Sequence, residues 1–500
     1  MPSTPRPIVP EKMGPPLKAK FLSFYMRNII PFLFVLHLIS CGPSKKTDQE
    51  ILAERISRIE NGLQPNLQIE GDSVPQFNIE DRMRELGIPG VSIAVLHNGK
   101  IEWAKGYGTA DSVENRLVTT ETLFLAGSIS KPVAATRAHQ LAEQGVISLD
   151  SNVNLYLSSW KLPENEFTQT EKVTTRRMLN HTAGLTVWGF PGYDKGDTIP
   201  SVSEVLDGKG NTDSVRVYKK PGESWMYSGG GYTIMQLMIT DLEGKTFPEI
   251  MKANVLDPLG MKNSTFENPL PSKYHSLAAT GYRSNGKEVE GKWPIYPEMA
   301  AAGLWTTPSE LILWAKEIQQ IQQNQKDGLL KTGTVNEMLI PGMNDHGLGP
   351  VSNEHTFGHG GADEGFRANM VAWKNHPVAV VIMVNSDNGS IMQEILLSIA
   401  REYKLPGVEP SIRKVINKTV EERTPLVGIY KFPELGEATI SIKDNGLEIS
   451  AEWLEESFFL LPQNDSTYFN KKNGDNFTFV YEGEKVKKMK VFRFEGEKIK

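Results

Sequence analysis

The amino-acid sequence predicts an α/β (α+β) protein in which a large mixed domain is followed by a small all-β domain. Strand-like runs lie near both ends of the mixed region, at 88–108 and 366–387, and helical segments fill the chain between them. This order indicates one sheet that brings N- and C-terminal strands together against helices. From about residue 425 onward, apolar and polar residues alternate with period two, which predicts a separate small barrel or sandwich.

The first elements of the mixed domain are predicted by the segment IPGVSIAVLHNGKIEWAKGYG. Asn98-Gly99 separates a β-branched run from a second alternating run, and Asn-Gly between such runs is a strong hairpin signal. A helix is expected over 128–144, because its composition favours helix and Pro132 fits the first turn, where its missing N–H loses no partner. Gly145 is well placed to end this helix.

Three further segments have the composition of helices, and two apolar runs close the mixed domain. The helical segments are YTIMQLMITDLEG, FPEIMKANVLDPLG and SELILWAKEIQQIQ. The segment FRANMVAWKNHPVAVVIMVNSD predicts two strands joined by a turn at 374–377. We therefore place the mixed domain at 74–406, a linker at 407–424 and the all-β domain at 425–500.

Composition and charge restrict the possible functions. The chain has 500 residues, of which 39% are hydrophobic and 23% charged, as in a soluble globular protein rather than a disordered or polytopic membrane protein. A net charge of −6, without a compact basic patch interleaved with aromatic residues, disfavours nucleic-acid binding. A single cysteine excludes multi-cysteine zinc sites. His355 and His359 are four residues apart, but no nearby cluster completes a site, so we expect no metal and no cofactor.

The single cysteine, Cys41, follows a segment with the features of a signal peptide. Arg27 precedes an apolar run over 29–39, which is shorter than the roughly 20 residues needed to span a bilayer and has the length of a signal-peptide core. The sequence LISC resembles a bacterial lipobox, which implies a mature chain that begins at lipidated Cys41. We expect a leader and signal peptide at 1–41, a tether at 42–73, and a location in the bacterial cell envelope, with a plain signal peptide as the alternative.

The sequence SISK at the start of the predicted helix is the first candidate for catalytic chemistry. A serine hydroxyl is a poor nucleophile until a base takes its proton. Ser128 and Lys131 are three residues apart and share a helix face, and burial or a neighbouring cation favours the neutral, basic form of a lysine. Free amides at the helix start favour negative charge near Ser128. The pattern alone is weak, since an N-cap serine beside a solvated lysine is common.

Two later glycine-rich stretches strengthen this candidate. PGESWMYSGGGYTIMQLM places Tyr227 and Ser228 just before a helix, in a turn that lets the backbone approach a ligand. FGHGGADEGFRANMVAW places His359 and two glycines beside a strand, where a ligand can lie against the strand edge. A strand-edge N–H together with the N–H of Ser128 can form an oxyanion hole.

Taken in this order, the three boxes at 128–131, 227–229 and 359–361 resemble those of the penicillin-recognising serine hydrolases, which include class C β-lactamases, DD-peptidases and related esterases. The segments TLFLAGSISK, MLNHTAGL, DPLGMKNSTF and AAAGLWTTPSEL add to the similarity. The resemblance implies a β-lactamase/transpeptidase-like fold, with an antiparallel sheet flanked by helices and a helical subdomain. The β-rich tail is similar to the small C-terminal domain often appended to members of this family.

The resemblance also implies a role for each site residue. Ser128 is the nucleophile that becomes acylated, and Lys131 takes its proton, alone or together with Tyr227. Tyr227 passes protons to the leaving group and from the deacylating water. His359 takes the place of the usual lysine of the third box, and the N–H groups of Ser128 and Ala362 form the oxyanion hole. The other substrate-binding positions are Gly229, Gly360 and Gly361.

Two departures from the family pattern affect the expected substrate. In the family pattern, an asparagine usually stands at the position of Gly229, and the resemblance implies that its side chain binds a substrate amide. His359 stands in place of a lysine, and because a histidine is only partly charged near neutrality, its hold on a substrate carboxylate is weaker. We expect a serine hydrolase that forms an acyl-enzyme with a small ester or amide, such as a β-lactam or a peptidoglycan-type D-amino-acid peptide. The alternative is a lipid-anchored sensor that binds penicillin or peptidoglycan with little or no turnover.

Three other polar residues near the boxes are expected to be structural. We expect His181 to support the site rather than form a triad, and Ser130 to be a helix-turn residue rather than a second nucleophile. Arg367 is interpreted as a structural or surface arginine, with binding of a substrate carboxylate as the alternative.

Overall fold

The computed structural model describes residues 46–454, 456–492 and 494–500. Contacts divide the chain into two units, Met1–Ile51 and Leu52–Lys500. Cys41 and the predicted signal peptide lie outside the described residues, so lipidation stays a prediction. Within the described part, none of the helices has both the length and the apolar composition needed to cross a membrane.

Within the described residues, five α-helices of the mixed domain and its flanking segments have 13 to 17 residues, and the others have eight or fewer. The α-helices are α1 (Asp48–Glu60), α2 (Ile79–Leu86), α3 (Ser130–Glu143), α4 (Thr175–Leu179), α5 (Val202–Leu206), α6 (Gly229–Glu243), α7 (Phe247–Met251), α8 (Asp257–Leu259), α9 (Met299–Ala302), α10 (Pro308–Asn324), α11 (Thr332–Met338), α12 (Ser390–Tyr403) and α13 (Val420–Arg423). A π-helical segment, Lys252–Leu256, joins α7 to α8.

The strands before the C-terminal domain form one main sheet and two small pairs. They are β1 (Leu67–Ile69), β2 (Gly90–His97), β3 (Lys100–Asp111), β4 (Arg116–Leu117), β5 (Phe124–Leu125), β6 (Trp305–Thr306), β7 (Val351–Ser352), β8 (Thr356–Asp363), β9 (Phe366–Trp373), β10 (Val378–Val384) and β11 (Ser411–Arg413). The main sheet has the order β4-β3-β2-β10-β9-β8-β7, and its neighbouring strands are antiparallel.

The main sheet joins the two ends of the mixed domain as the sequence predicts. β2 and β3 form the expected hairpin, with Asn98 and Gly99 both at positive φ. β10 pairs with β2 in a register that places Val381 opposite Ala94. The predicted α/β architecture, with an antiparallel sheet flanked by helices, is therefore confirmed.

The sheet is buried on both faces, which explains why β10 is apolar throughout and β2 is apolar except at Ser92 and His97. Alternate residues of these strands contribute to two core clusters. One face packs against α10 and the other against α12; α3 and α6 belong to the first core cluster, and α2 belongs to the second. A strand covered on both sides shows a continuous apolar run instead of a polar alternation.

The segment expected to be mainly a tether contains regular structure. α1 ends with Ile59 buried, and β1 pairs in parallel with β11 of the segment expected to be a linker. Leu52 and Ile56 pack against the same core cluster as Ile59. Their spacing of four and three residues places them on one helix face, a signal that the tether interpretation did not use.

The C-terminal domain is a closed antiparallel barrel. Its strands are β12 (Gly428–Phe432), β13 (Gly436–Lys443), β14 (Gly446–Ala451), β15 (Phe458–Pro462), β16 (Thr467–Asn470), β17 (Asn476–Glu482), β18 (Lys485–Val491) and β19 (Phe494–Lys498), each paired with its sequence neighbour and β19 with β12. Inward-facing apolar side chains fill a separate core. Among these described strands, closure leaves no edge open to pairing.

Candidate active site

Ser128 and Lys131 lie where a 3-10 turn, Gly127–Ile129, runs directly into α3. The Lys131 Nζ lies 2.9 Å from the Ser128 Oγ and donates a second hydrogen bond, of 2.8 Å, to the carbonyl oxygen of Ala301. Lys131 is only 2% exposed. The Lys131 amine is therefore not solvated: it is held between the Ser128 hydroxyl and the backbone of α9.

Ser130, the second serine of the first box, is part of the framework as expected. Its Oγ donates a 2.6 Å hydrogen bond to the carbonyl oxygen of Gly127 and accepts one of 3.0 Å from the N–H of Leu304. Both bonds are buried and tie the 3-10 turn to the segment before β6. The side chain is thus committed to backbone partners.

The end of β8 lies against the same turn at very short range. β7 pairs only with the beginning of β8, and the second half of β8 lies next to the 3-10 turn Gly127–Ile129. A Cβ on Gly361 would lie 1.9 Å from the carbonyl oxygen of Ala126, and one on Gly127 would lie 2.5 Å from the nitrogen of Ala362. Only glycine permits this approach, which brings the backbones of Ser128 and Ala362 together.

Tyr227 reaches the pair from the turn that precedes α6. The Lys131 Nζ lies 5.0 Å from the centroid of the Tyr227 ring. Ser228 caps α6 by accepting a 3.0 Å hydrogen bond from the N–H of Gly231 and donates one of 2.8 Å to the carbonyl oxygen of Thr186. The structure therefore brings Ser128, Lys131 and Tyr227 together, although they are up to 99 residues apart in sequence (227 − 128).

His181 supports Tyr227, in agreement with the structural role expected for it. Its ring stacks on the Tyr227 ring at 4.2 Å between centroids, with an interplanar angle of 30°. Its Nδ1 accepts a 3.1 Å hydrogen bond from the N–H of Ser228. Burial lowers the pKa of His181 well below its usual range, so the ring is neutral and able to accept.

A third histidine, His346, belongs to this cluster and was missed by sequence reasoning. Its ring centroid lies 4.9 Å from that of His181 and 6.0 Å from those of Tyr227 and His359. Burial lowers its pKa. It follows a 3-10 turn, Met343–Asp345, and no local pattern marks it. Within the described ranges, no set of three or more His, Cys, Asp or Glu side chains has the arrangement of a metal site.

The structure gives His359 a different character from the lysine it replaces. The side chain is 7% exposed, and its Nδ1 lies 2.6 Å from the carbonyl oxygen of Gly360, to which it donates when protonated. Burial lowers the pKa of His359 to about 3. A neutral ring does not supply the charge that holds a substrate carboxylate, so burial weakens further the hold that His359 was expected to provide.

Gly229, expected to be a substrate-binding position, does not line the cleft that contains Ser128. Gly229 is buried, and its N–H donates a 3.0 Å hydrogen bond to the carbonyl oxygen of Trp188. A Cβ at this position would lie 2.9 Å from the ring of Phe190. The segment 186–190 therefore covers the place where the family's asparagine side chain would extend. Gly360, by contrast, is exposed, and the nearest atom to a Cβ added there would lie 3.9 Å away.

The three catalytic candidates open into a cleft of about 400 Å³. Its walls are mainly apolar, with Trp188 72% exposed at its side. Residues that line the cleft are Ser128, Lys131, Trp188, Gly189, Phe190, Pro191, Tyr227, Ala301, Ala302, Ala362 and Asp363. A cleft of this size fits a small acyl donor or the end of a peptide.

Sequence reasoning did not single out two buried carboxyl groups: Asp363, which lines the cleft, and Glu298, which directly precedes α9. Burial raises the pKa of Asp363 to about 8, although the charges of Lys131 and Arg367 oppose the shift. Burial also raises the pKa of Glu298 to about 8. Both oxygens of Glu298 lack a hydrogen-bond partner within the described chain. The position of Asp363, two residues after the end of the third box, was a usable signal.

Arg367 has a structural role, as expected, and does not line the cleft. Its Nη1 donates hydrogen bonds of 2.6 Å and 2.7 Å to the carbonyl oxygens of Asp363 and Phe366. The same nitrogen lies 3.0 Å from a carboxylate oxygen of Asp387. These contacts fix the turn between β8 and β9.

Comparisons with known proteins show what this chain is similar to. Protein flp of Staphylococcus aureus strain MW2 is 25% identical over 343 residues, which covers 63% of this chain and 64% of that protein. The octameric penicillin-binding protein homologue from Pyrococcus abyssi superposes with a TM-score of 0.59 at 19% identity, over 90% of this chain and 100% of the other.

A second solved structure, the D-amino acid amidase from Ochrobactrum anthropi SV3, superposes with a TM-score of 0.55 at 21% identity, over 71% of this chain and 98% of the other. At such identities the two structures show a shared fold and no more. The family model Beta-lactamase matches residues 77–401, which is well over half of the chain and includes all three boxes. The chain therefore belongs to the Beta-lactamase family.

Proposed function

We propose that this protein is a serine hydrolase that forms an acyl-enzyme on Ser128 and then hydrolyses it. The observation that carries the proposal is the 2.9 Å contact between the Lys131 amine and the Ser128 hydroxyl inside the cleft, with Tyr227 beside both. Membership in the Beta-lactamase family supports serine acyl-enzyme chemistry in general terms. The identity of the ester or amide that is cleaved is a separate and more specific proposal.

The proposed reaction has two steps that share the same groups. The Ser128 oxygen attacks the acyl carbonyl carbon while the Lys131 amine takes the hydroxyl proton, and the N–H groups of Ser128 and Ala362 stabilise the oxyanion. Tyr227 delivers a proton to the leaving oxygen or nitrogen as its bond to carbon breaks. Water then attacks the acyl-enzyme, gives up a proton through Tyr227 and Lys131, and releases the acid and the Ser128 hydroxyl.

The features of the cleft favour some substrates over others. Among the described residues that line it, Lys131 is the only cation, and it already contacts Ser128. A substrate carboxylate, as in penicillins, would lack a second cation to hold it. We therefore favour small esters and amides without a carboxylate next to the reacting bond.

Steady-state hydrolysis tests the proposal. Wild-type protein should release product continuously from p-nitrophenyl esters or from D-amino-acid amides, and Ser128→Ala should lower kcat by about a thousandfold or more. The control is Ser284→Ala, which changes an exposed serine outside the cleft. Absence of turnover with esters, amides and β-lactams would contradict the hydrolase, and a single stoichiometric acylation without turnover would favour the sensor.

We also propose that the protein is held in the bacterial envelope by a lipid on Cys41. The support is the apolar run at 29–39 and the LISC sequence that ends in this cysteine. In the native host, Cys41→Ala should move the protein from the membrane to the soluble fraction. Retention of this variant in the membrane fraction would contradict lipidation as the anchor.

A further inference from the structure

A buried glutamine in α6, Gln236, hydrogen-bonds the segment that leads into α9. The side chain is 1% exposed. Its Nε2 donates a 2.9 Å hydrogen bond to the carbonyl oxygen of Pro297, and its Oε1 accepts one of 2.8 Å from the N–H of Ala300. A carbonyl oxygen only accepts and a backbone N–H only donates, so a single orientation of the amide satisfies both groups. Gln236 therefore holds both sides of the turn at which α9 begins.

α9 depends on contacts of this kind for its position. It has only four residues, Met299–Ala302, and so short a helix has little stability of its own. The first N–H groups of a helix have no partner inside it, and Gln236 supplies one for Ala300. Beyond the other end of α9, the N–H of Leu304 donates a 3.0 Å hydrogen bond to the Ser130 Oγ. Gln236 and Ser130 thus hold α9 from its two ends.

The carbonyl group that α9 presents to the site is that of Ala301. It accepts the 2.8 Å hydrogen bond from the Lys131 Nζ, which also contacts the Ser128 Oγ at 2.9 Å. Because hydrogen bonds are directional, this acceptor sets the rotation of the amine about its Cε–Nζ bond and hence how the amine faces Ser128. Ala301 is joined directly to Ala300, so a shift of the residue that Gln236 holds would move this carbonyl.

From these contacts we propose that Gln236 is a positioning residue: by holding α9, it keeps the Ala301 carbonyl in place to orient the Lys131 amine. Gln236 does not line the cleft, so it acts through α9 and does not touch substrate. The inference rests on the proposed hydrolase function, in which Lys131 is the base. It adds a residue that neither the three boxes nor the walls of the cleft identify.

A second buried glutamine provides a matched control. Gln319 in α10 is also 1% exposed. Its Nε2 donates hydrogen bonds of 2.9 Å, 3.0 Å and 2.9 Å to three backbone carbonyl oxygens, those of Trp373, His376 and Val378. None of these four residues lines the cleft. Replacing Gln319 by methionine therefore removes buried hydrogen bonds of the same kind, none of which involves α9.

The rate at which a fluorophosphonate labels Ser128 tests the inference. Methionine is similar in length to glutamine but lacks the amide, so Gln236→Met and Gln319→Met should both lower the melting temperature. Only Gln236→Met should also slow the labelling, by about ten- to a hundredfold, because misplacing a reacting group by about 1 Å can cost that much. A folded Gln236→Met protein that labels within about threefold of wild type, or a Gln319→Met protein that is slowed as much, would overturn the inference.

Gln236→Glu is the conservative variant. A carboxyl group buried at this position is expected to keep its proton at about pH 6, and the protonated group has both a donor and an acceptor. We therefore expect Gln236→Glu to label Ser128 at a rate within about threefold of wild type at this pH. A rate as low as that of Gln236→Met would refute the positioning role.

Crystal structures of the variants test the same step without requiring a reaction. In Gln236→Met, we expect the Ala301 carbonyl oxygen to lie beyond hydrogen-bonding distance of the Lys131 Nζ, whereas Gln319→Met should keep the 2.8 Å contact. An unchanged contact in Gln236→Met would refute the inference. If that variant does not fold, Gln236→Asn decides by both measurements, because its shorter amide cannot reach both backbone groups. Failure of the hydrolase proposal is recognised separately, as absent turnover of esters and amides by the wild-type protein.

Discussion

Replacing Lys131 by methionine removes the proposed base while nearly preserving the buried volume. The methionine side chain has a similar length and shape, but it has no amine to accept the Ser128 proton. In the wild-type protein this amine lies 2.9 Å from the hydroxyl and is almost fully buried, so water cannot readily replace it. A positioned general base contributes about a hundred- to ten-thousandfold to rate. We therefore expect kcat/KM to fall by that factor, which corresponds to about 2.7–5.5 kcal/mol of transition-state stabilisation.

The same substitution has a smaller and separable effect on stability. The Ala301 carbonyl oxygen loses its 2.8 Å donor, and an unsatisfied buried acceptor costs about 1–3 kcal/mol. The loss of a buried amine, which is itself costly to bury, offsets part of this. The folded state should therefore survive at 25 °C, with a melting temperature lowered by a few degrees.

The assay compares kcat/KM for a neutral p-nitrophenyl ester with the circular-dichroism melting curve of each variant. Lys245→Met is the matched control, because Lys245 is exposed on the loop after α6 and does not line the cleft. A folded Lys131→Met variant whose kcat/KM lies within threefold of wild type would refute Lys131 as the base.

Three further changes test other parts of the structure. Glu298 keeps its proton in the folded state up to about pH 8 but loses it near pH 4.5 when unfolded, so the free energy of unfolding should fall by about 1.4 kcal/mol per pH unit between these values. Urea unfolding of Glu298→Gln at pH 5 and pH 8 should show that this contribution to the pH dependence is gone. An unchanged pH dependence would contradict the burial argument. Trp188→Ala should raise KM for an aromatic ester by about tenfold with little change in melting temperature, since this side chain is largely exposed; an unchanged KM would remove Trp188 from the binding surface. Gly361→Ala should destabilise the fold by about 1–3 kcal/mol, because the added Cβ meets the Ala126 carbonyl oxygen. Gly360→Ala should leave the melting temperature nearly unchanged, because no atom lies within 3.4 Å of the added Cβ. Similar losses of stability in both variants would argue against the close contact at Gly361.

Local signals in the sequence were sufficient to predict β2, β3, β9 and β10 of the main sheet and the shared helix face of Ser128 and Lys131. The Asn98-Gly99 turn specifies the first hairpin, and continuous apolar runs specify strands buried on both faces. Ser128 and Lys131 share a helix face by spacing alone. The approach of Tyr227 to them came from the resemblance of the boxes, since no local pattern relates positions so far apart.

Other features could not be predicted because they depend on tertiary contacts. His346 contributes to the site through a turn that carries no motif, and Glu298 becomes buried only when α9 packs beside α6 and α3. Period-two alternation also cannot distinguish a barrel from a sandwich, because both alternate inward and outward residues. The loss of charge at His359 follows from burial, which residue type alone does not reveal.

Covalent labelling of Ser128 is the most direct test of the central claim that a buried amine activates this hydroxyl. The full-length protein is incubated with a fluorophosphonate, and the adduct is located by intact-mass and peptide mass spectrometry. We predict a single adduct on the peptide that contains Ser128, absent from Ser128→Ala and formed much more slowly by Lys131→Met. A folded protein that gains no adduct at Ser128, or that Lys131→Met labels as fast as wild type, would contradict the account.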